Sequence, residues 1–238
     1  MNSEEIQKRY LEGDRNFRKA NLREADLIDG HFHGINLNQA DLRQSRLGKT
    51  DFSRASFREA DLSEAILWGT ELSEADLYRA VLREADLSGA KLTYANLELA
   101  NLSKASLCGA NLVGSRLSRA NLFEADLRPT SDQVTDLGRA ILTYADLCYA
   151  NLSGALLYQT DLERAKLCRA HLNRTLQQDA ADLSEAILRE VDLSFADLTG
   201  VNLRGADLRG ADLTGAILID VNLEDATMPD GTLYQKSN

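Results

Sequence analysis

The chain has 238 residues, 44% of them hydrophobic and 6% aromatic, and its 27 Lys and Arg against 37 Asp and Glu give a net charge of −10. So many apolar residues exclude a disordered chain, and the acid excess makes direct nucleic-acid binding unexpected unless the bases gather on one face. No stretch approaches the roughly 20 apolar residues of a membrane span. The opening Met1-Asn2-Ser3-Glu4-Glu5 has no apolar run behind it, so neither a signal peptide nor a membrane contact is expected. Three cysteines make no complete disulfide framework, which fits a reducing compartment and a cytoplasmic location.

The first predicted element is a short capping helix at residues 3–12, inside an N-terminal unit of residues 1–14. Ser3 reads as its N-cap, Glu4 and Glu5 sit in the first turn, Ile6 and Tyr10 share a face, and Gly13 stops it.

Residues 15–226 then repeat at an interval of five. Phe17, Leu22, Leu27, Phe32, Leu37, Leu42, Leu47, Phe52, Phe57 and Leu62 open a series that runs to Leu172 with one failure, Asp132. It resumes one residue out of step at Leu183 and continues to Leu233. Two residues before each of these centres stands a small residue, such as Ala20, Ala25 or Ser45, and the residue just before is usually Asp or Asn. A helix would scatter such leucines around its axis, and a flat strand would alternate them between faces. The spacing works if the chain turns a corner in every pentapeptide, with the centre and the small residue inward and the turns stacked like parallel strands.

Outward residues 20 apart fall into columns of distinct character, which predicts four sides per turn. One column reads His33, Ser53, Ser73, Thr93, Val113, Gln133, Ser153, Asn173 and, past the insertion, Ser194 and Thr214. Another reads Ile28, Gly48, Trp68, Ser88, Cys108, Arg128, Cys148 and Cys168, and so gathers the only tryptophan and all three cysteines. Cys148 and Cys168 are then one turn apart, close enough for a disulfide in principle, though the simpler reading of the column is three small apolar outward residues. About 220 residues of repeat give about 11 turns and a rod about 50 Å long at the usual strand spacing.

The run Ala-Asp-Leu-X-X, as in Ala25-Asp26-Leu27-Ile28-Asp29 and Ala206-Asp207-Leu208-Arg209-Gly210, resembles the motif of the pentapeptide-repeat family over nearly the whole chain. The resemblance implies an all-β solenoid, a right-handed quadrilateral β-helix of stacked pentapeptide repeats. A narrower likeness rests on Asp61 to Gly69, on Arg128-Pro129 and on Met228-Pro229-Asp230-Gly231. It points to those members that regulate heterocyst differentiation in cyanobacteria.

Two segments interrupt the repeat, near 128–136 and 173–181. The first loses its centre at Asp132 and gains Pro129, and the second carries Gln177, Gln178 and Asp179 where a pentapeptide is due. Such interruptions are either tolerated insertions or places where a rigid scaffold displays binding residues. The tail 227–238, with its turn Pro229-Asp230-Gly231 and then Leu233 and Tyr234, is expected to close the far end.

No catalytic constellation emerges, and no cofactor or metal is expected. His31, His33 and His171 are spread along the rod, the carboxylates recur at the repeat spacing with no privileged pair, and no Gly-rich phosphate loop is present. The expectation is a non-enzymatic protein-binding scaffold, a monomer or weak dimer, whose partner the residues do not name. Trp68 stands on a smooth strip with Gly48, Gly69, Gly89 and Gly109, where it either contacts a partner or lies over its neighbours. Arg128, Asp132 and Gln133 of the interruption complete the candidate partner-binding set. Some family members bind DNA gyrase, a type II topoisomerase, by mimicking duplex DNA. Here sixteen of the 37 acids stand just before centres, beside four of the 27 bases, so the remaining outward positions are close to neutral rather than one acidic face.

Overall fold

The computed structural model describes residues 1–174 and 179–234. In the repeat, the residue before each centre forms an isolated parallel bridge to its counterpart one turn on. Asn21 bridges Asp41, Asp41 bridges Asp61, and Asp61 bridges Val81, with four such bridges in each 20-residue turn.

The backbone N–H groups of one pentapeptide explain its composition. The centre donates to the next turn, as Leu22 N–H does to the Asp41 carbonyl at 2.7 Å, and so does Glu24 N–H to Arg43 at 3.0 Å. The residue before the centre donates to the turn behind, as Asp41 N–H does to Ala20 at 2.9 Å, and the small residue closes the corner, Ala25 N–H to Leu22 at 3.0 Å. The N–H just after the centre has no backbone acceptor, and the Asp or Asn side chain two residues earlier takes it: Asn21 Oδ1 accepts from Arg23, and Asp61 Oδ1 from Ser63 at 3.0 Å. The acid column is therefore part of the turn.

Each corner needs a positive φ at the second residue after the centre, and ordinary side chains adopt it throughout, for example Lys49, Glu64, Arg79 and Tyr94. The leucine and phenylalanine centres from Phe17 to Leu208 and most of the alanines between them are buried in one continuous core, with Ala20 partly buried against it. Burying each leucine or phenylalanine is worth about 1.5–3 kcal/mol, largely offset by the entropy of ordering the chain. Where the small residue is Thr or Ser, its hydroxyl finds a carbonyl, as Thr70 Oγ1 does with Leu47 at 2.9 Å.

Helix α1, Ser3–Leu11, covers the N-terminal end. Its N-cap is Asn2, whose side chain accepts from Glu5 N–H at 2.8 Å, and not Ser3 as the sequence suggested. Ser3 Oγ instead accepts the Asp26 N–H at 3.1 Å, an edge donor of the first turn with no preceding turn to reach. Ile6 lies on the core, and Tyr10 packs edge-on against Phe32 at 5.2 Å.

The column assignment needs two corrections. At the first interruption the bridges jump 25 residues, Asn111 to Asp136 and Asp126 to Asn151, so one whole pentapeptide is looped out. At the second they jump 26, Leu156 to Asp182, which removes a pentapeptide and one residue more. Each loop moves everything downstream by one side. Arg128 stands over Ser153, and Asn173 precedes Thr199 in its column. Cys148 and Cys168 belong to the neighbouring side, below Arg83, Ser103 and Phe123, and share no column with Trp68. Gln177 and Gln178 lie outside the described residues.

The described part of the tail, to Tyr234, lies against the far end on one side. Thr227 pairs antiparallel with Leu233, and Tyr234 N–H reaches the Ala226 carbonyl at 2.8 Å, which covers one side only. Leu218, a centre like those buried elsewhere, is 41% exposed.

Candidate protein-binding face

One side of the rod carries, turn by turn, Gly48, Trp68, Ser88, Cys108 and Arg128, each just after a centre. Trp68 lies back over Gly48, where a Cβ would come within 2.7 Å of the indole Cε2, so the glycine clears a seat for the ring. Lys49 Nζ stands 4.9 Å from the ring centroid. The indole remains 37% exposed. Trp68 thus lies over a neighbour, as one of the two sequence readings had it, and still faces solvent.

Thr130 to Val134 fold back onto the same side. Thr130 N–H donates to the Gln133 carbonyl at 2.8 Å, and Gln133 N–H donates to Thr130 Oγ1 at 3.0 Å, which makes a small closed loop. Gln133 Oε1 sits 2.9 Å from where a Gly89 side chain would begin, and Thr130 Cγ2 3.0 Å from that of Gly109. Ordinary residues hold the same positive φ elsewhere, so Gly89 and Gly109 serve here by making room for the loop. Gly69, beside Trp68, is the next glycine of that strip and bears no loop. Beyond Gln133 a groove of about 330 Å3 opens between Gly89, Gly109, Val134 and Leu156.

The four candidate residues play unequal parts. Trp68 and Arg128 share the column, and Gln133 reaches it through the loop. Asp132 is exposed in the loop, with its carboxylate unpaired among the described residues. Arg128 is pinned by two hydrogen bonds to Asp126, at 2.9 and 2.7 Å. Burial works against the charge of Asp126, yet the hydrogen bonds and charge of Arg128 hold its carboxyl below the ordinary range. Burial pushes the Cys108 thiol above its ordinary value.

Thr135 was missed by sequence reasoning. It is fully buried at the foot of the loop, donates to the Arg128 carbonyl at 2.8 Å, and accepts the Gly109 N–H at 2.8 Å. The signal was available, because Thr135 occupies the small position before Leu137, as Thr50 and Thr70 do before Phe52 and Leu72.

The adjoining side carries the Cys148–Cys168 disulfide, with Cα atoms 4.7 Å apart, flanked by Tyr149, Arg169 and Phe195. No cluster of His, Cys, Asp or Glu suited to a metal occurs among the described residues. No described helix is long and apolar enough to cross a membrane.

Eight copies of the family described as Pentapeptide repeats match, from residues 15–44 through to 206–233. The chain belongs to the pentapeptide-repeat family. Among solved structures it is similar to HetL, a pentapeptide repeat protein involved in heterocyst differentiation regulation from the cyanobacterium Nostoc sp. strain PCC 7120. The identity is 59%, over 98% of this chain and 100% of HetL, with a TM-score of 0.98. It is 31% identical to the pentapeptide repeat protein Rfr23 from the cyanobacterium Cyanothece 51142, over 55% of this chain and 91% of Rfr23, with a TM-score of 0.29. It is 22% identical to QnrB1, a plasmid-mediated fluoroquinolone resistance protein, over 83% of this chain and 88% of QnrB1, with a TM-score of 0.40. No curated protein sequence matches the chain.

Proposed function

We propose that this pentapeptide-repeat chain is a right-handed quadrilateral β-helix acting as a non-enzymatic scaffold in the regulation of heterocyst differentiation. In this reading it holds a protein partner on the side formed by Trp68 and the 130–134 loop. One observation carries the regulatory role: 59% identity to HetL with nearly complete coverage of both chains. The docking side is supported by the geometry, in which a partly exposed indole and a folded loop, each seated on glycines of one strip, share one side. Interfaces concentrate binding energy in such aromatic anchors within low-charge surroundings.

The test has two arms. Expression in a heterocyst-forming cyanobacterium lacking HetL should restore the normal spacing of heterocysts. Trp68→Ala and Gln133→Ala, with folding intact by circular dichroism, should lose that rescue. Failure of the unaltered chain to rescue would reject the regulatory role, and undiminished rescue by both variants would reject the docking side.

The net charge of −10 raises gyrase binding by DNA mimicry as the competing reading. Against it, the acids before the centres are engaged in capping turn N–H groups, and several also pair with arginines, as Asp26 does with Arg46 at 2.8 Å and Asp76 with Arg58 at 2.8 Å. No inhibition of gyrase supercoiling at micromolar protein is the expected result.

A further inference from the structure

The C-terminal end of the coil presents an unfinished edge. In the preceding turn, Leu203 N–H donates to Asn222, Gly205 N–H to Glu224, and the Val201 carbonyl accepts from Asn222. The equivalent groups of the last turn, Leu223 N–H, Asp225 N–H and the Val221 carbonyl, have no partner among the described residues. They line a groove of about 810 Å3 whose floor and wall are Val221, Leu223 and Tyr234. Its rim carries Asp220, Glu224 and Asp225. Arg204 is the only cation within reach of these three, at 3.5 Å from Glu224 and 3.9 Å from Asp225, so two negative charges remain uncompensated among the described residues.

We infer that this groove receives a basic, extended segment of a protein partner, which adds as one more bridge to the edge of the sheet. Two amide donors and one carbonyl at strand spacing select an extended backbone, the apolar floor takes alternate side chains, and the carboxylate rim takes Lys or Arg between them. A second copy of this chain fits poorly. Its own C-terminal end would bring the same carboxylates face to face, and its N-terminal end is covered by α1. The inference is independent of the Trp68 side, which lies several turns away, so either can fail alone.

The probe is a capped nonapeptide alternating Lys and Val, titrated into the full chain at low salt. Controls are the same peptide with Glu for Lys and the same peptide N-methylated at alternate residues. We expect binding of the Lys peptide alone, with the Leu223 and Asp225 amides gaining protection from hydrogen exchange. The variant Asp220→Asn, Glu224→Gln, Asp225→Asn should bind about tenfold more weakly, as expected for the loss of a few exposed charge pairs. Equal binding of the N-methylated or Glu peptide, or no binding of the Lys peptide, would overturn the proposal. So would a concentration-dependent dimer that excludes the peptide, or binding seen only after residues 235–238 are removed. Should the triple variant not fold, the three peptides and the exchange measurement still decide.

Discussion

At the N-terminal end Ile6 of α1 is fully buried in the core, and Ser3 takes the stray Asp26 N–H. At the C-terminal end Leu218 is 41% exposed, Leu213 and Leu223 are half-buried, and the edge donors of three sides find no acceptor among the described residues. One repeat, ended in two ways, separates what the repeat supplies from what it cannot. Stacking satisfies a turn only if another turn follows, so an end requires a different element or stays open as a binding edge.

The strongest way to break this contrast is to truncate equivalent centres. Leu97→Ala, in the middle of the rod, should cost about 3 kcal/mol, whereas Leu218→Ala should cost under about 1 kcal/mol, because its cavity already opens to water. Equal losses in urea unfolding would show that the far end is covered. Next, Ile6→Ala should cost about 2 kcal/mol and raise hydrogen exchange in the first turn above that of the middle turns.

A smaller effect sharpens the other side of the comparison. Near the far end, the Asp207 turn is tied down from outside. The Asp207 carboxylate accepts from Arg209 at 2.8 and 2.6 Å and from Arg189 at 2.5 Å. The hydrogen bonds from Arg209, aided by those from Arg189 and opposed by burial, hold its carboxyl far below the usual range. A depressed carboxyl stabilises the fold above the unfolded-state value of about 4, and that contribution fades as the pH falls toward the folded-state value. Asp207→Asn should therefore cost about 1 kcal/mol at pH 7, and the gap to the unaltered chain should shrink steadily below about pH 4 in thermal unfolding. The smallest expected effect is Asn2→Ala, about 0.5–1 kcal/mol in urea unfolding from loss of the α1 N-cap.

The repeat was legible because a leucine every fifth residue suits neither a helix nor a strand; the Asp or Asn before it was visible as a pattern, and the orphan N–H it answers was not. Up to residue 128 the columns could be read by counting twenties. Beyond that they could not, and the reason is physical. A looped-out pentapeptide leaves the spacing of five unchanged while it rotates all later residues by one side. Cys148 and Cys168 were still correctly expected as neighbours, since no loop lies between them, but they were placed on the wrong side. Trp68 and its glycines were visible as a strip. Their partnership with Gln133 was not, because nothing local to residues 130–134 says which way a loop folds.

The slip of one side at the first loop decides which residues share the candidate face, and paired cysteines test it directly. In a chain with Cys108→Ser and Cys168→Ser, Arg128→Cys is combined either with Ser153→Cys and Cys148→Ser, or with the native Cys148. Mild oxidation followed by mass spectrometry should show a disulfide in the first pair, stacked as Cys148 and Cys168 are at 4.7 Å between Cα atoms, and none in the second. A bond between positions 128 and 148, with none between 128 and 153, would contradict the account.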